Sequence, residues 1–272
     1  DTAVLRRSLL SGVALVVLIG SAPMTAQRQR PLTPLPSDGL RVAPFFDGWY
    51  ENPDGTIALS FGYSNLNRNE VVEIPLGPDN NIQPKEYDGR QPTSFPPVLP
   101  TPGGDGSGAP RGGGRRQRER GVFTVTVPAG FKGDVVWTLR YLGQTYSVPG
   151  RARISAYRLQ WPMAMGSVPP LLRFSSTGPG GRGPMGIQAD PQRVSVGAPL
   201  SLAVWSNDDS VREKEPVPIK ERAAKAALNV SWYKHSGPGD VVFTPPSTPI
   251  AELQGTATTA AVFKQPGEYV IR

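Results

Sequence analysis

The sequence predicts an all-β protein of two antiparallel β-sandwich domains, joined by a proline- and glycine-rich linker and preceded by a signal helix. Three observations predict this organisation. The 272 residues are enough for two domains of ordinary size. The 31 glycines and 31 prolines concentrate in residues 30–44, 89–114 and 162–192, which leaves two segments able to bury a core. Within those segments, short runs of alternating apolar residues are separated by turn sequences, as is typical of sandwiches.

The first 26 residues have the pattern of a secretory signal peptide. Arg6 and Arg7 precede an apolar run from Leu9 to Gly20, which is too short to span a membrane as a helix. Small residues follow, and we expect cleavage after Ala26. The alternative is a membrane anchor that stays attached. We therefore expect a secreted, periplasmic or cell-surface protein, with the membrane involved only through this segment and residues 27–44 as a linker.

The absence of cysteine narrows the possible chemistry. With no cysteine in the chain, an exported protein has no disulfide to stabilise it, so its β cores must do so. The same absence excludes thiol catalysis and cysteine metal sites.

The first domain is predicted over residues 45–161. Its clearest element is a hairpin in which Asn52-Pro53-Asp54-Gly55 forms a turn between two strands. Alternation places Ile57, Leu59, Phe61 and Tyr63 on one face of the second strand. A third strand is expected over residues 70–75.

A long insertion separates these strands from the next group. Repeated prolines and glycines over residues 83–120 predict an exposed loop with poor order, because proline cannot donate to a β-ladder. Alternation resumes over residues 121–128 and 135–142, where Trp137, Leu139 and Tyr141 share one face. A core is the natural place for that face.

Residues 162–191 are predicted as the interdomain linker and residues 192–272 as the second domain. A strand over 200–205 precedes a charged insert, and a strand that carries Trp232 is followed by a turn at 236–239 and a further strand from Val241. Residue 272 falls inside an apparent strand, so we expect this domain to be truncated.

Four segments of the second domain together resemble the polycystic-kidney-disease type and related immunoglobulin-like modules of exported bacterial proteins. They are residues 230–232, 236–241, 261–263 and the Pro-Gly-Glu-Tyr-Val run at 266–270. The resemblance covers about residues 192–272 and departs from the family pattern in the insert 207–227. It implies a spacer or recognition module and no catalysis. Residues 45–160 resemble a secreted β-domain of uncharacterised bacterial proteins, from which no activity follows.

The candidates for catalysis and metal binding are few. His235 is the only histidine, and no nucleophile-elbow sequence accompanies it, so we interpret it as an exposed turn residue. Asp208 and Asp209 with Asn207, or the run from Asp79 to Asn81, contain oxygen ligands for Ca²⁺ but lack the spacing of a dedicated loop. Ordinary turn chemistry explains them better. We predict no catalytic residue, no metal site and no cofactor.

One basic segment carries much of the formal charge of +7. Its arginines outnumber its single acidic residue by four, and they are Arg111, Arg115, Arg116, Arg118 and Arg120. A solvated segment with no fixed partner is the leading interpretation. Contact with an anionic lipid surface or polysaccharide is the alternative, and nucleic acid is disfavoured because no aromatic residues alternate with the arginines.

These observations predict a non-enzymatic secreted or cell-surface protein that acts in adhesion, scaffolding or ligand binding. A cell-surface protein or a polysaccharide is the expected kind of partner. The alternative is an accessory carbohydrate-binding portion of a larger exported enzyme. The aromatic residues that would bind sugar in that case are Trp49, Tyr50, Phe61, Tyr63, Trp137 and Tyr141, although core packing explains most of them better.

Overall fold

A computed structural model describes residues 40–67, 70–98, 118–159, 169–183, 186–209 and 228–272 of the chain. All of them belong to one compact unit, residues 38–272. Strands make up 52% of the described residues, which contain two single-turn 3-10 helices and no α-helix. The all-β prediction is confirmed. The predicted signal peptide 1–26, most of the linker 27–44 and most of the insert 207–227 lie outside the described residues.

Residues 40–159, the first β region, contain eight strands in three small antiparallel sheets. The sheet orders are β1-β2-β6, β4-β7-β8 and β3-β5. The strands are β1 (Val42–Glu51), β2 (Ile57–Asn65), β3 (Val72–Glu73), β4 (Asn80–Gln83), β5 (Ser94–Phe95), β6 (Glu119–Val127), β7 (Asp134–Tyr141) and β8 (Gln144–Arg151).

The predicted hairpin forms the centre of this region. β1 and β2 pair antiparallel across the turn at residues 52–56, where Asp54 accepts hydrogen bonds from the backbone and hydroxyl of Thr56. Every residue of β2 is buried, on both faces of the strand. One face holds the large side chains that alternation predicts. The other holds small residues, and a Cβ at Gly62 would lie 2.0 Å from the Glu119 carbonyl oxygen.

Aromatic contacts fill the core of the first β region. Trp137 is fully buried and meets the Phe123 ring edge to face, with ring centroids 5.0 Å apart. Phe61 stacks on Phe123 at 5.3 Å. Trp137 and Leu139 point inward as predicted, whereas Tyr141 is only partly buried.

The structure differs from the prediction of an exposed loop over residues 83–120. Residues 84–98 are part of the fold: Gln91, Ser94 and Phe95 are buried, and β5 pairs with β3. Prolines exclude an extended β-ladder here, and side-chain amides form hydrogen bonds with backbone carbonyl groups instead. Asn80 donates to the carbonyl oxygens of Ile74 and Pro92. Residues 99–117 lie outside the described residues.

Residues 169–272, the second β region, contain nine further strands. They form a five-stranded sheet of order β10-β9-β11-β16-β14 and the pairs β12-β15 and β13-β17. The strands are β9 (Leu171–Arg173), β10 (Gly180–Gly181), β11 (Pro199–Asn207), β12 (Leu228–Ser231), β13 (Lys234–Ser236), β14 (Val241–Thr244), β15 (Ser247–Ile250), β16 (Gln254–Phe263) and β17 (Val270–Ile271).

Part of the predicted linker 162–191 belongs to the sheet of the second β region. β9 pairs with β11, with Arg173 opposite Trp205. Arg182 binds both carboxylate oxygens of Asp209 and donates to the Pro169 carbonyl oxygen, so charged contacts hold this stretch against the strands. Sequence patterns did not reveal these strands because they are only two and three residues long.

Candidate functional site at the junction of the two β regions

The two β regions meet through backbone hydrogen bonding at the ends of two short strands. The Thr93 amide, next to β5, donates to the carbonyl oxygen of His235 in β13 at 2.9 Å. β13 in turn pairs with β17, and Tyr233 and Arg272 exchange two backbone hydrogen bonds of 2.7 and 2.8 Å. The junction is therefore a directional contact between strands, with a defined register.

Lys234 supplies the first charged contact across the junction. The residue is 8% exposed, and its Nζ lies 3.0 Å from Glu73 Oε1 and donates to the Gly239 carbonyl oxygen at 2.9 Å. Glu73 also accepts a hydrogen bond of 2.7 Å from the Ser94 hydroxyl. Removing an ammonium group from water is costly unless it is paired and hydrogen-bonded, and Lys234 meets both conditions.

His235 supplies the second contact. Its Nε2 lies 3.0 Å from the Arg90 carbonyl oxygen. A carbonyl oxygen only accepts, so Nε2 carries the proton and donates. The pKa of His235 is lowered to about 4, mainly by burial and in part by the Arg272 charge, while the hydrogen bond to Arg90 opposes the change. The sequence interpretation of His235 as an exposed turn residue is wrong, because its ring is half-buried against the first β region.

Arg272 forms a third contact. Its guanidinium lies over the Tyr233 ring, 4.9 Å from the centroid, and its Nη1 is 3.9 Å from Glu119 Oε1. Tyr63 lies beside it, buried, and donates from its hydroxyl to the Pro96 carbonyl oxygen at 3.0 Å. Burial raises the pKa of Tyr63 well above its ordinary value, so this phenol stays neutral and is a poor nucleophile.

Two adjoining clefts lie beside the junction. One, of about 260 Å³, is lined by residues from both β regions: Glu73, Pro75, Leu76, Thr93, Gly237 and Pro238. The other, of about 390 Å³, shares Glu73, Pro75 and Leu76 and extends to Arg140 and Leu142. Leu76 is 46% exposed and Leu142 is 50% exposed, so the clefts present apolar surface to solvent. Their size falls within or just below the range of small-ligand sites.

The predicted basic segment is only partly within the described residues. Arg118 lies over the Phe45 ring at 5.3 Å from its centroid, and Arg120 is exposed. Arg111, Arg115 and Arg116 lie outside the described residues.

The carboxylates considered for Ca²⁺ have other partners. Asp79 lies 3.4 Å from Arg140, Asp209 pairs with Arg182, and Asn80 is a buried hydrogen-bonding centre. Among the described residues, no three histidine, cysteine, aspartate or glutamate side chains converge as a metal site would require.

The aromatic residues considered for sugar binding pack mainly inward. Phe61 and Trp137 are fully buried, Tyr63 is 2% exposed and Trp49 is 6% exposed. Trp49 donates from its indole to the Ile154 carbonyl oxygen at 2.8 Å, and the Arg158 guanidinium covers its ring. Tyr50 and Tyr141 are partly buried.

Comparison with known proteins adds no assignment: no protein-family model matches the chain, and neither the curated proteins nor the solved structures contain a significant match. In the part of the chain that the structure describes, no helix is long and apolar enough to cross a membrane. Sequence analysis did not identify Thr93, Lys234, Glu73 and Arg272 as a group. The only available signal was a lysine and a histidine side by side directly after Trp232 and Tyr233.

Proposed function

We propose that the chain is a non-enzymatic, extracytoplasmic protein of two immunoglobulin-like β-sandwich domains, acting in adhesion, scaffolding or ligand binding. The observation that carries this proposal is the junction. Its ionisable groups make contacts between the β regions and hold strands together. Lys234 and His235, neighbours in one strand, both point to partners in the first β region.

The geometry of His235 supports the non-enzymatic assignment. A general base must accept a proton from a nucleophile within hydrogen-bonding distance. The protonated Nε2 of His235 instead donates to a backbone carbonyl. The lowered pKa of this histidine follows from burial and from the Arg272 charge, which are structural causes.

The adjoining clefts support a binding role for the same junction. They combine exposed leucines with the Glu73 carboxylate and the Asp79–Arg140 pair. A mixed surface of this kind suits a protein partner, whose interface has an apolar centre and a polar rim. Because one cleft is lined by both β regions, its shape depends on the junction staying closed.

The carbohydrate-binding alternative has less support. Sugar recognition relies on exposed aromatic rings that stack on apolar sugar faces, and Trp49, Trp137 and Trp232 are each less than 8% exposed. Contact of the basic segment with an anionic surface stays a proposal that rests on Arg118 and Arg120 alone within the described residues.

Site-specific photo-crosslinking on producing cells tests the proposal. A photoreactive amino acid replaces Leu76 or Leu142 in the full chain, and Val196, which is 50% exposed and lines neither cleft, serves as the matched control. We expect crosslinked protein adducts on the extracytoplasmic side from positions 76 and 142 and none from 196.

Two results would contradict the proposal. Equal crosslinking from all three positions would show that the clefts are not a docking surface. Turnover of a glycan, ester or peptide substrate by the purified chain would overturn the non-enzymatic assignment, provided that His235→Gln or Tyr63→Phe abolishes it.

A further inference from the structure

The junction closes around the only histidine of the chain. His235 contacts the first β region twice, through its carbonyl oxygen to the Thr93 amide and through Nε2 to the Arg90 carbonyl oxygen, at 2.9 and 3.0 Å. Both hydrogen bonds involve the same residue. A displacement of the His235 ring therefore also disturbs the backbone hydrogen bond between the regions.

A second proton on the imidazole has an unfavourable environment. Since Nε2 already carries the proton of the neutral ring, the second proton must go to Nδ1. The ring then becomes a cation in a half-buried position, where desolvation disfavours charge. This cost of charging the half-buried ring is the main reason that the pKa of His235 is lowered to about 4.

The charged groups around His235 do not compensate for a new cation. Glu73, from β3, is already bound by Lys234 and by the Ser94 hydroxyl. Glu119, from β6, pairs with Arg272, which itself faces His235 from beside β17. Arg90, from the segment before β5, contacts the ring through its backbone carbonyl oxygen. The Tyr63 phenol, from β2, stays neutral because burial raises its pKa.

The cores of the two β regions lie elsewhere. The main apolar core consists of residues between Val42 and Ala152, all in the first β region. The second β region buries its own apolar residues, among them Val204, Ile250 and Phe263. The hydrogen bonds and ion pairs described above between the regions are polar contacts outside both cores. A charge change at the junction therefore weakens the junction before it weakens either core.

We infer that His235 is an acid-sensitive latch, whose protonation in mildly acidic medium separates the two β regions at their junction while each region keeps its own core. Opening would also dismantle the cleft that Glu73 and Leu76 share with Pro238, because that cleft draws on both regions. The latch goes beyond the proposed function and does not depend on which ligand the clefts bind.

The size of the effect follows from proton linkage. A histidine whose pKa is about 4 in the closed state and 6.5 once released favours opening as the pH falls below 6.5. Between pH 7.5 and pH 5, the ratio of closed to open junction should fall about 30-fold. Below pH 4 the closed state is protonated as well, and the effect stops growing.

Energy transfer between two dyes measures opening directly. The chain has no cysteine, so Lys85→Cys and Lys264→Cys, both at exposed positions in different β regions, can be labelled without background. In the full chain, we expect transfer efficiency to change between pH 6.5 and pH 4.5, while Trp fluorescence and far-UV circular dichroism stay constant.

His235→Gln is the decisive variant. The glutamine amide can donate to the Arg90 carbonyl oxygen but cannot take up a proton, so the acid transition should disappear, with a change in the closed-to-open ratio of less than about 3-fold. An acid transition that is unchanged in His235→Gln would overturn the inference and assign the effect to the carboxylates Glu73 and Glu119.

A second measurement needs no substitution at all. As the only histidine, His235 gives one pair of carbon-bound imidazole proton resonances, whose shifts with pH report its pKa in the intact chain. Titration well below 6.5, coupled to the change in energy transfer, supports the latch. Titration near 6.5 with no change in energy transfer overturns it.

Discussion

Asn80 is the residue whose replacement should most weaken the first β region. Its side chain is fully buried and joins three segments through three hydrogen bonds. Nδ2 donates to the carbonyl oxygens of Ile74 at 2.9 Å and Pro92 at 2.7 Å, and Oδ1 accepts from the Trp137 indole at 3.0 Å. No other side-chain type supplies two donors and an acceptor in this shape except a longer glutamine.

Asn80→Ala leaves two buried carbonyl groups and one buried indole N–H without partners. Each such group costs about 1–3 kcal/mol, so three groups near the low end of that range give an expected loss of about 3–5 kcal/mol in the free energy of unfolding. That is a large part of the roughly 5–15 kcal/mol that stabilises an ordinary domain. Asn80→Asp should be at least as harmful at pH 7, because a carboxylate would face the two carbonyl oxygens.

Urea denaturation, followed by Trp fluorescence, measures this loss, and the neighbouring residue provides the control. Asn81 donates to the carbonyl oxygens of Gly77 and Pro78 at 3.3 and 3.1 Å near the surface, so water can replace it. Asn81→Ala should cost about 0.5–1 kcal/mol. Equal midpoints for the two alanine variants would refute the reasoning, as would an Asn80→Ala loss below about 1 kcal/mol.

Three further predictions concern charged groups. Glu73→Ala leaves the buried Lys234 ammonium without its ion-pair partner, so it should lower the free energy of unfolding in urea by about 2–3 kcal/mol. Lys234→Met removes the charge and should lower it less. The reverse order would contradict the pairing. Burial raises the pKa of Asp47, and its Oδ1 has no hydrogen-bond partner. Asp47→Asn should therefore raise thermal stability at pH 7 by about 0.5–1 kcal/mol, an advantage that shrinks as acid protonates the wild-type carboxyl. Asp134→Asn breaks an ion pair with Arg151, whose side chain is 56% exposed. The loss in the free energy of unfolding should therefore stay below about 1 kcal/mol and vanish in 1 M salt. A larger loss that does not depend on salt would show that the pair is shielded from solvent.

The long strands of the first β region could be predicted from the sequence because their information is local. Alternation of large apolar residues identifies β2 and β7, and the Asn-Pro-Asp-Gly turn identifies the hairpin between β1 and β2. What alternation did not show is that β2 is buried on both faces. Its second face is made of Ala58, Ser60 and Gly62, and small residues of that kind are equally common on exposed strands.

The hydrogen bonds of Asn80 and His235 could not be predicted because their partners are distant in sequence. Asn80 looks like a turn residue beside Asp79 and Asn81, and only the fold brings the Trp137 indole, 57 residues away, to its oxygen. His235 lies 145 residues from the Arg90 carbonyl that it contacts. Single-sequence patterns carry no information on such pairs, which explains why residues 84–98 were interpreted as a loop and His235 as an exposed residue.

The polar character of the junction explains how the two β regions keep one arrangement. An apolar contact between two sheets tolerates sliding, because dispersion contacts are non-directional. The Thr93–His235 backbone hydrogen bond and the Lys234–Glu73 ion pair depend on distance and angle, so a small sliding displacement breaks each of them. We expect Lys234→Met to keep most of the stability but to broaden the distribution of dye distances across the junction. A distribution as narrow as that of the wild type would mean that packing, and not the ion pair, sets the arrangement.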